Sequence, residues 1–553
     1  MTDADAARLS ADKGKAGASG ETPRPAASSP PGDNSRNRLR PYAEVAEELL
    51  WRMRARDEDL LIAADDKGVE HTWLYRDGLW SLTLKPGPRL ESEIEGLLQE
   101  LKFRWFSTSR FVVEARKHIE RSPSVRARDQ IAWDNHGKVP TRSGLIDPVT
   151  LMVEPLKKEH YATWRLEVDY DPTAACPLWL ELLDDYFHDQ PADEREKRIL
   201  LLQDFSGTML IDALPKSLKR GLVLLGASDT GKSVLLRVLS GLSTDKPIST
   251  PLSEISGPHG LQEFMRRAPW VLDEAFDIGV WHLSARVKAI IAREPLSINP
   301  KNNPLITMRI NAPCLWGTNH PPTFKENTDA IVNRLLILKL KRVFAKGELI
   351  GVAAKAKAVN PAWEPFDLIL DREKPGLLNW ALIGLQRVLN RGNFVNTAEG
   401  EAALDEMRLD ANPVGGFIRD CIRFDPEAMM STIDFFAAFS GWRQETHGDE
   451  KVRLSPSFVG KNLAALSHPR IGQDKKAFRQ ENGRRFYIGI ALNTEGCAHF
   501  DAMAHARHRW PDGPLTRMSL SSKEVWHPIP DKWLEHPEVV KLQKWPADEP
   551  ADT

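Results

Sequence analysis

Residues 226–233 read GASDTGKS, a spacing suited to holding a nucleoside triphosphate. Gly226 and Gly231 let the backbone wrap phosphate oxygens and aim N–H groups inward. Ala227, Ser228, Asp229 and Thr230 form the body of such a loop. Lys232 would neutralise the β- and γ-phosphates, and Ser233 would ligate Mg²⁺. Further on, APWVLDEAFD puts Asp273 and Glu274 at the end of an apolar run. Phosphoryl transfer to water needs one carboxylate for Mg²⁺ and another to polarise the attacking water. Asp273 suits the first task and Glu274 the second. Acidic pairs often merely end strands, and here the spacing after the phosphate loop gives the pair its meaning.

Three more residues fit the same chemistry less specifically. APCLWGTNH ends in Thr318 and Asn319, and an amide there could hold the attacking water. An Asn before Pro321 and Pro322 is equally a turn former. In TDAIVNRLLILKL, Arg334 could stabilise transition-state charge, although taken alone it reads better as a strand-flanking ion-pair residue. LSINPKNNPLITMRI has two alternating segments around Asn-Pro-Lys-Asn-Asn, a β-hairpin pattern with Lys301 at its tip. Such a cation is ordinarily a solvated edge charge; in a ring-shaped motor it could grip a DNA phosphate.

Positioning these groups requires a particular order of elements. GLVLL is a short apolar run fit for a buried parallel strand, and VLLRVLSGL continues the loop as an amphipathic helix. With the runs ending at Leu272, Thr318 and Leu340, residues 216–345 alternate strand and helix, the signature of a parallel α/β sheet. Upstream, residues 1–40 hold few large apolar side chains and read as disordered. Residues 41–140 form an α+β region, with HTWLYRDGLWSLTL as a hairpin and two helices after it. Residues 141–215 begin with short strands in RSGLIDPVTLMVEPL and become helical from PLWLELLDDYF. Residues 346–410 are helical, 411–495 form a small separate domain, and 496–553 are a C-terminal extension.

Bulk properties bound the rest. The 553 residues carry a net charge of −2 and 41% hydrophobic residues, so several folded domains are expected and a uniformly basic nucleic-acid coat is excluded. The four cysteines stand far apart with no CxxC pair, which supports neither a disulfide framework nor a zinc finger. Cys497, His499, His505 and His508 lie close together, but a one-residue Cys–His gap is not a standard zinc spacing, and they read as a surface cluster. The acidic start and the lack of any long apolar stretch imply a soluble, cytoplasmic protein with no membrane partner.

In this order, GASDTGKS, VLDEAFD, the hairpin with Lys301, WGTNHPP and Arg334 resemble the superfamily 3 helicases, a branch of the AAA+ ATPases. The similarity is greater to the helicase half of the phage and plasmid primase–helicases and of the poxvirus primase–helicase. The stretch from RSGLIDPVTLMVEPL to CPLWLELLDDYF resembles the pre-helicase segment of that group, REKRILLLQDFSGTML its linker, and KPGLLNWALIGLQRVLNRGNF the helix after its ATPase. The resemblance runs from about residue 70 to 490. It implies Lys232, Ser233, Asp273 and Glu274 as the Walker residues, Asn319 as sensor 1 and Arg334 as a finger reaching the neighbouring subunit's site. It also implies that Lys301 and Asn302 form the DNA-contacting tip, and that a homo-hexamer translocates 3′ to 5′ on single-stranded DNA with ATP and Mg²⁺. Thr230 stands where the group often has Asn. No carboxylate spacing upstream matches a two-metal polymerase site, so no primase activity is expected, and a separate primase is a conceivable partner.

In the region 411–495, FIRDCIRFDPEAMMSTIDFFAAFSGWRQETHG reads as two helices, SPSFVGKNLAALSH as a third, and KKAFRQENGRRFYIGIAL as a strand–turn–strand hairpin. This pattern resembles a winged helix. It places Lys475, Lys476, Arg479, Arg484 and Arg485 on a basic wing able to meet duplex phosphates. The leading functional expectation is an ATP-dependent DNA helicase replicating a phage, plasmid or integrated element in a bacterial cell, acting on single-stranded and forked DNA. The alternative is a DNA-binding AAA+ switch, an initiator or defence protein that does not unwind processively. A small-molecule kinase fits less well, because it needs neither a trans arginine nor a basic wing.

Overall fold

The computed structural model describes residues 41–84, 86–101, 108–243, 246–275, 280–281, 285–320, 323–324, 331–345, 351–412, 414–447, 455–466, 468, 470–472, 485–506 and 527–543. At the N-terminal side, strands Asp59–Ala64, Glu70–Arg76 and Leu79–Thr83 form an antiparallel meander. Its second turn is Asp77-Gly78, with φ of 53° and 80°. Both positive φ values are what a two-residue primed turn requires. Helices Pro41–Ala55, Pro86–Glu100 and Ser109–Arg121 supply Val45, Leu49, Ile94, Ala115 and Ile119 to a core shared with Leu60, Ile62 and Leu74. Trp73, Tyr75 and Trp80 cluster on the sheet with Trp133, which stacks on Trp73 at 3.9 Å between centroids.

The centre of the chain is a four-stranded sheet, wholly parallel, ordered Leu335–Lys339, Gly221–Leu225, Cys314–Thr318, Trp270–Leu272. All five residues of Gly221–Leu225 are buried, as expected of a strand covered on both faces. Its side chains alternate between two layers. Leu222 and Leu224 pack with Leu235 and Leu239 of helix Lys232–Gly241, whereas Val223 and Leu225 pack with Trp270 and Trp316.

Helices before and after the sheet cover the first layer. Helix Ala192–Thr208 lies along helix Lys374–Arg391 at very close range. A Cβ on Gly207 would meet the Leu385 nitrogen at 2.3 Å, and one on Gly384 the Gln203 oxygen at 2.1 Å. Only glycine lets the two backbones approach so far. Asp204, 1% exposed, clamps the pair through Arg387, 2.8 Å away, and Arg391.

The C-terminal part corrects one sequence reading. FIRDCIRFDPEAMMSTIDFFAAFSGWRQETHG was expected to give two helices; it gives helix Gly415–Cys421, strand Ile422–Ser431 and helix Thr432–His447. The strand pairs antiparallel with Phe486–Leu492 and, on its other side, with His527–Pro528. Its register shifts between Phe424 and Met429. Pro426 sits within that irregularity, where the ladder is broken and a missing N–H costs least. Helix Pro456–Leu466 matches the third expected helix. Most of the expected wing, including Lys475, Lys476, Arg479 and Arg484, lies outside the described residues. Among the described residues no helix is long and apolar enough to cross a membrane.

Candidate functional site

The phosphate-loop sequence occupies the turn between strand Gly221–Leu225 and helix Lys232–Gly241. Two of its residues have left-handed backbones, Asp229 at φ 61° and Gly231 at φ 74°. Gly231 is needed for space as well as for φ, because a Cβ there would lie 2.0 Å from the Tyr186 hydroxyl oxygen. The entry is equally tight: a Cβ on Gly226 would meet the Leu340 carbonyl and Thr230 Oγ1 at 2.8 Å each. Thr230 is buried and donates its hydroxyl to the Ala227 carbonyl at 2.9 Å, closing the loop on itself. The Thr230 side chain thus serves the turn's internal structure. Ala227, Ser228 and Asp229 are exposed.

Lys232 is 7% exposed, yet its ammonium is well supplied with acceptors. Nζ donates to the Gly226 carbonyl at 2.9 Å, the Ala227 carbonyl at 2.8 Å and Asn319 Oδ1 at 2.8 Å. Burial holds this amine below the usual lysine range, while the charges of Asp273, Glu274 and Asp229 push it back up. The ammonium therefore feels both carboxylates of the neighbouring strand tip, with which it shares no hydrogen bond. Strand order explains the arrangement. Cys314–Thr318 lies between the loop strand and Trp270–Leu272, so its tip delivers Asn319 between Lys232 and the acidic pair. Gly317 permits this close layering, since a Cβ there would come within 2.6 Å of the Asp273 carbonyl. The Ala275 N–H donates to the Gly317 carbonyl at 2.8 Å and ties the two tips together. Ser233, Asp273, Glu274 and Asn319 are all exposed at this end of the sheet.

Arg334 is not part of that group. It ends the short helical turn Val332–Arg334 just before strand Leu335–Lys339, whose first residue pairs with Gly221 and last with Leu225. The five-residue strand separates it from the phosphate loop by about 16 Å at the usual rise per residue. Its neighbour is Arg220, whose guanidinium is held below the usual arginine range by burial first and by Arg334 second. A chain's own Arg334 and its own phosphate loop thus lie at opposite ends of the sheet.

The expected hairpin forms from strands Pro295–Ile298 and Ile306–Arg309 in antiparallel register. Lys301 and Asn302 are exposed in the connection, Asn302 with φ 59°. The Lys301 backbone N–H donates to Gln262 Oε1 at 3.2 Å. The stem is buttressed by the N-terminal sheet: Asp65 Oδ2 accepts from the Thr307 N–H at 2.8 Å, and Lys67 Nζ donates to Ser297 Oγ at 2.8 Å. Arg485 is exposed at the start of the Phe486–Leu492 strand, and its carbonyl accepts from the Thr432 N–H at 2.9 Å.

Tyr186 is a residue that sequence reasoning missed. It sits on helix Pro177–Phe187 and donates its hydroxyl to the Gly231 carbonyl at 2.8 Å. Burial raises its phenol above the tyrosine range, so it stays a donor. Phe344 packs edge-on against it at 5.1 Å, and the Phe344 N–H donates to the Asp229 carbonyl at 2.9 Å. The loop is thus braced by two residues of one layer, one from before the sheet in the chain and one from after it. No local pattern marks Tyr186, because it contacts the loop across 45 positions.

Residues 91–188 match the family described as "D5 N terminal like". The matched stretch includes residues 142–187, from RSGLIDPVTLMVEPL to CPLWLELLDDYF, and with them Tyr186. No curated protein matches the chain in sequence. Among solved structures it is similar to the apo A form of the NrS-1 C-terminal region, at 12% identity and a TM-score of 0.41, covering 80% of this chain and 98% of that one. It is also similar to a JCV helicase carrying a bound acetamide compound, at 11% identity and a TM-score of 0.23, covering 42% of this chain and 72% of that one.

Proposed function

We propose that the protein is an ATP-dependent DNA helicase of the superfamily 3 type. The observation that carries this reading is the buried Lys232 ammonium, seated on the Gly226 and Ala227 carbonyls and Asn319 beside the tip bearing Asp273 and Glu274. A lysine held at the mouth of a strand–loop–helix turn is a cation prepared for phosphate oxygens. The residues present fit ATP and Mg²⁺: the loop backbone at Ala227–Asp229 is exposed, and Ser233 and Asp273 offer oxygen donors of the kind Mg²⁺ takes. When bound, Mg²⁺ would neutralise charge on the triphosphate. Lys232 then exchanges carbonyl acceptors for phosphate oxygens, Glu274 accepts the proton of the attacking water, and Asn319 orients that water or the lysine.

The motor reading draws on two further features. Arg334 lies far from its own chain's loop, so any catalytic part it plays belongs to a neighbouring subunit, in keeping with a ring. The exposed Lys301, its backbone tied to Gln262 and its stem buttressed by Asp65, is a contact that can transmit movement to single-stranded DNA. The "D5 N terminal like" match supports the primase–helicase resemblance and, with it, work in the replication of a phage, plasmid or integrated element. Hexamerisation, 3′–5′ polarity, the winged-helix wing and a separate primase belong to this same proposal. The test is turnover: Lys232→Ala lowers ATP hydrolysis at least about 100-fold while the chain stays folded, and a variant that keeps most of its activity overturns the site.

A further inference from the structure

A second cluster of chemistry-bearing side chains lies in the C-terminal part, far in sequence from the phosphate loop. Helix Thr494–Ala506 presents Glu495 and His499 four residues apart, hence on one face. That face meets the end of helix Gly415–Cys421. One ligand-capable atom each from Cys421, Glu495 and His499 lies within 4.8 Å of the others. Cys421 is fully buried, and His499 is 7% exposed, not on the surface as its sequence surroundings suggested. His505 and His508 of the same sequence cluster lie outside the residues whose side chains are described. His499 Nε2 is buried without a hydrogen-bond partner. A buried unpaired imidazole nitrogen is costly, unless something other than protein fills its lone pair. The other ring nitrogen is provided for, since Nδ1 lies 3.3 Å from the Glu445 carboxylate. A carboxylate on one nitrogen of a histidine fixes the tautomer that turns the other nitrogen's lone pair toward a metal. Glu445 and Glu495 pair with no lysine or arginine among the described residues.

We propose that Cys421 Sγ, His499 Nε2 and a Glu495 carboxylate oxygen bind one Zn²⁺ ion, with Glu445 as the outer partner of His499 and water in the fourth position. One thiolate, one imidazole and one carboxylate form a donor set of borderline softness, which suits Zn²⁺ and disfavours Mg²⁺ or Ca²⁺. Metal–ligand bonds of about 2.0–2.3 Å require the three atoms to close up by about 1 Å. The exposed Glu495 side chain can supply that movement. Binding displaces the Cys421 thiol proton to solvent and pins helix Thr494–Ala506 to the start of strand Ile422–Ser431. The site would therefore lock the small C-terminal sheet against its helices.

Cobalt substitution in the full chain tests this. Protein stripped with a chelator is titrated with Co²⁺ in the absence of nucleotide. One equivalent should give a thiolate-to-cobalt charge-transfer band and visible bands of tetrahedral intensity, both displaced by Zn²⁺. Co²⁺ at Ser233 and Asp273 has only oxygen donors and gives no thiolate band. Cys421→Ser should abolish that band, and Cys497→Ser, altering the nearby partly buried cysteine, should leave it intact. Glu445→Gln should weaken binding about 10-fold, as expected for an outer partner. His499→Gln and Glu495→Gln carry the same test if circular dichroism shows that Cys421→Ser has not folded, and each should lower affinity more than Glu445→Gln. No thiolate band at saturating Co²⁺, a band that survives Cys421→Ser, or one lost with Cys497→Ser overturns the proposal.

Discussion

Asn319 touches Lys232, and this one contact separates two roles for the residue. If Asn319 acts by orienting Lys232, its removal deletes one charge-assisted hydrogen bond of 2.8 Å. Such a bond is worth about 1.5–3 kcal/mol, or a loss of roughly 10- to 150-fold in turnover at 1.4 kcal/mol per decade. Lys232→Met removes the cation itself and should cost at least about 100-fold, the usual toll for deleting one electrostatic stabiliser of a transition state. The informative variant is the double one. An Asn319 that acts through Lys232 has nothing left to orient once the lysine is gone, so Asn319→Ala in the Lys232→Met background should change turnover less than 3-fold, about 0.7 kcal/mol by the same conversion. The assay is steady-state phosphate release at saturating ATP and Mg²⁺ for the four proteins, with thermal melts to confirm folding. Losses that multiply, so that the double variant shows the product of both single effects, would refute the coupling. They would assign Asn319 directly to water or phosphate.

Other expectations follow from the same geometry. Arg334→Ala should eliminate hydrolysis and spare ATP binding; mixing it with Glu274→Gln subunits should restore some turnover, and no rescue at any ratio counts against a trans finger. Lys301→Ala should keep basal ATPase and lose its stimulation by single-stranded DNA, whereas unchanged stimulation removes the hairpin from the DNA path. Asp134 is raised to about 7 by burial and by Asp212, while Thr163 hydrogen bonds oppose the shift. Its unfolded carboxyl titrates near 4. Folding therefore takes up a proton between these values, and the stabilisation is whole below about pH 4 and lost as pH rises through about 7. In urea melts, wild type should lose stability relative to Asp134→Asn across that window, and parallel curves would show that Asp134 does not titrate there.

Legibility from sequence followed the range of the interaction. GLVLL, the loop and the following helix are contiguous, so strand, turn and helix could each be read from local pattern, and the parallel sheet from their alternation. Asp77-Gly78 marked its hairpin for the same reason, as only a few residue types tolerate both positive φ values. Strand Ile422–Ser431 escaped because Asp425, Pro426 and Glu427 interrupt its apolar residues at the irregular register, which disguises the period of two. Tyr186 and the Asp65–Thr307 buttress escaped for a different reason. Each joins distant segments, and neither residue type nor spacing reveals which loop a buried hydroxyl or carboxylate will meet. His499 was misread in the same way, because the partners that bury it come from helices Gly415–Cys421 and Thr432–His447.

The most direct test of the central claim is strand separation. Purified wild type and Lys232→Ala are compared on a forked DNA duplex with ATP and Mg²⁺. The account predicts that wild type separates the strands and that the variant, still folded, does not. ATP hydrolysis by wild type without strand separation, on forks of either polarity, would contradict the motor and leave an ATP-driven DNA-binding switch.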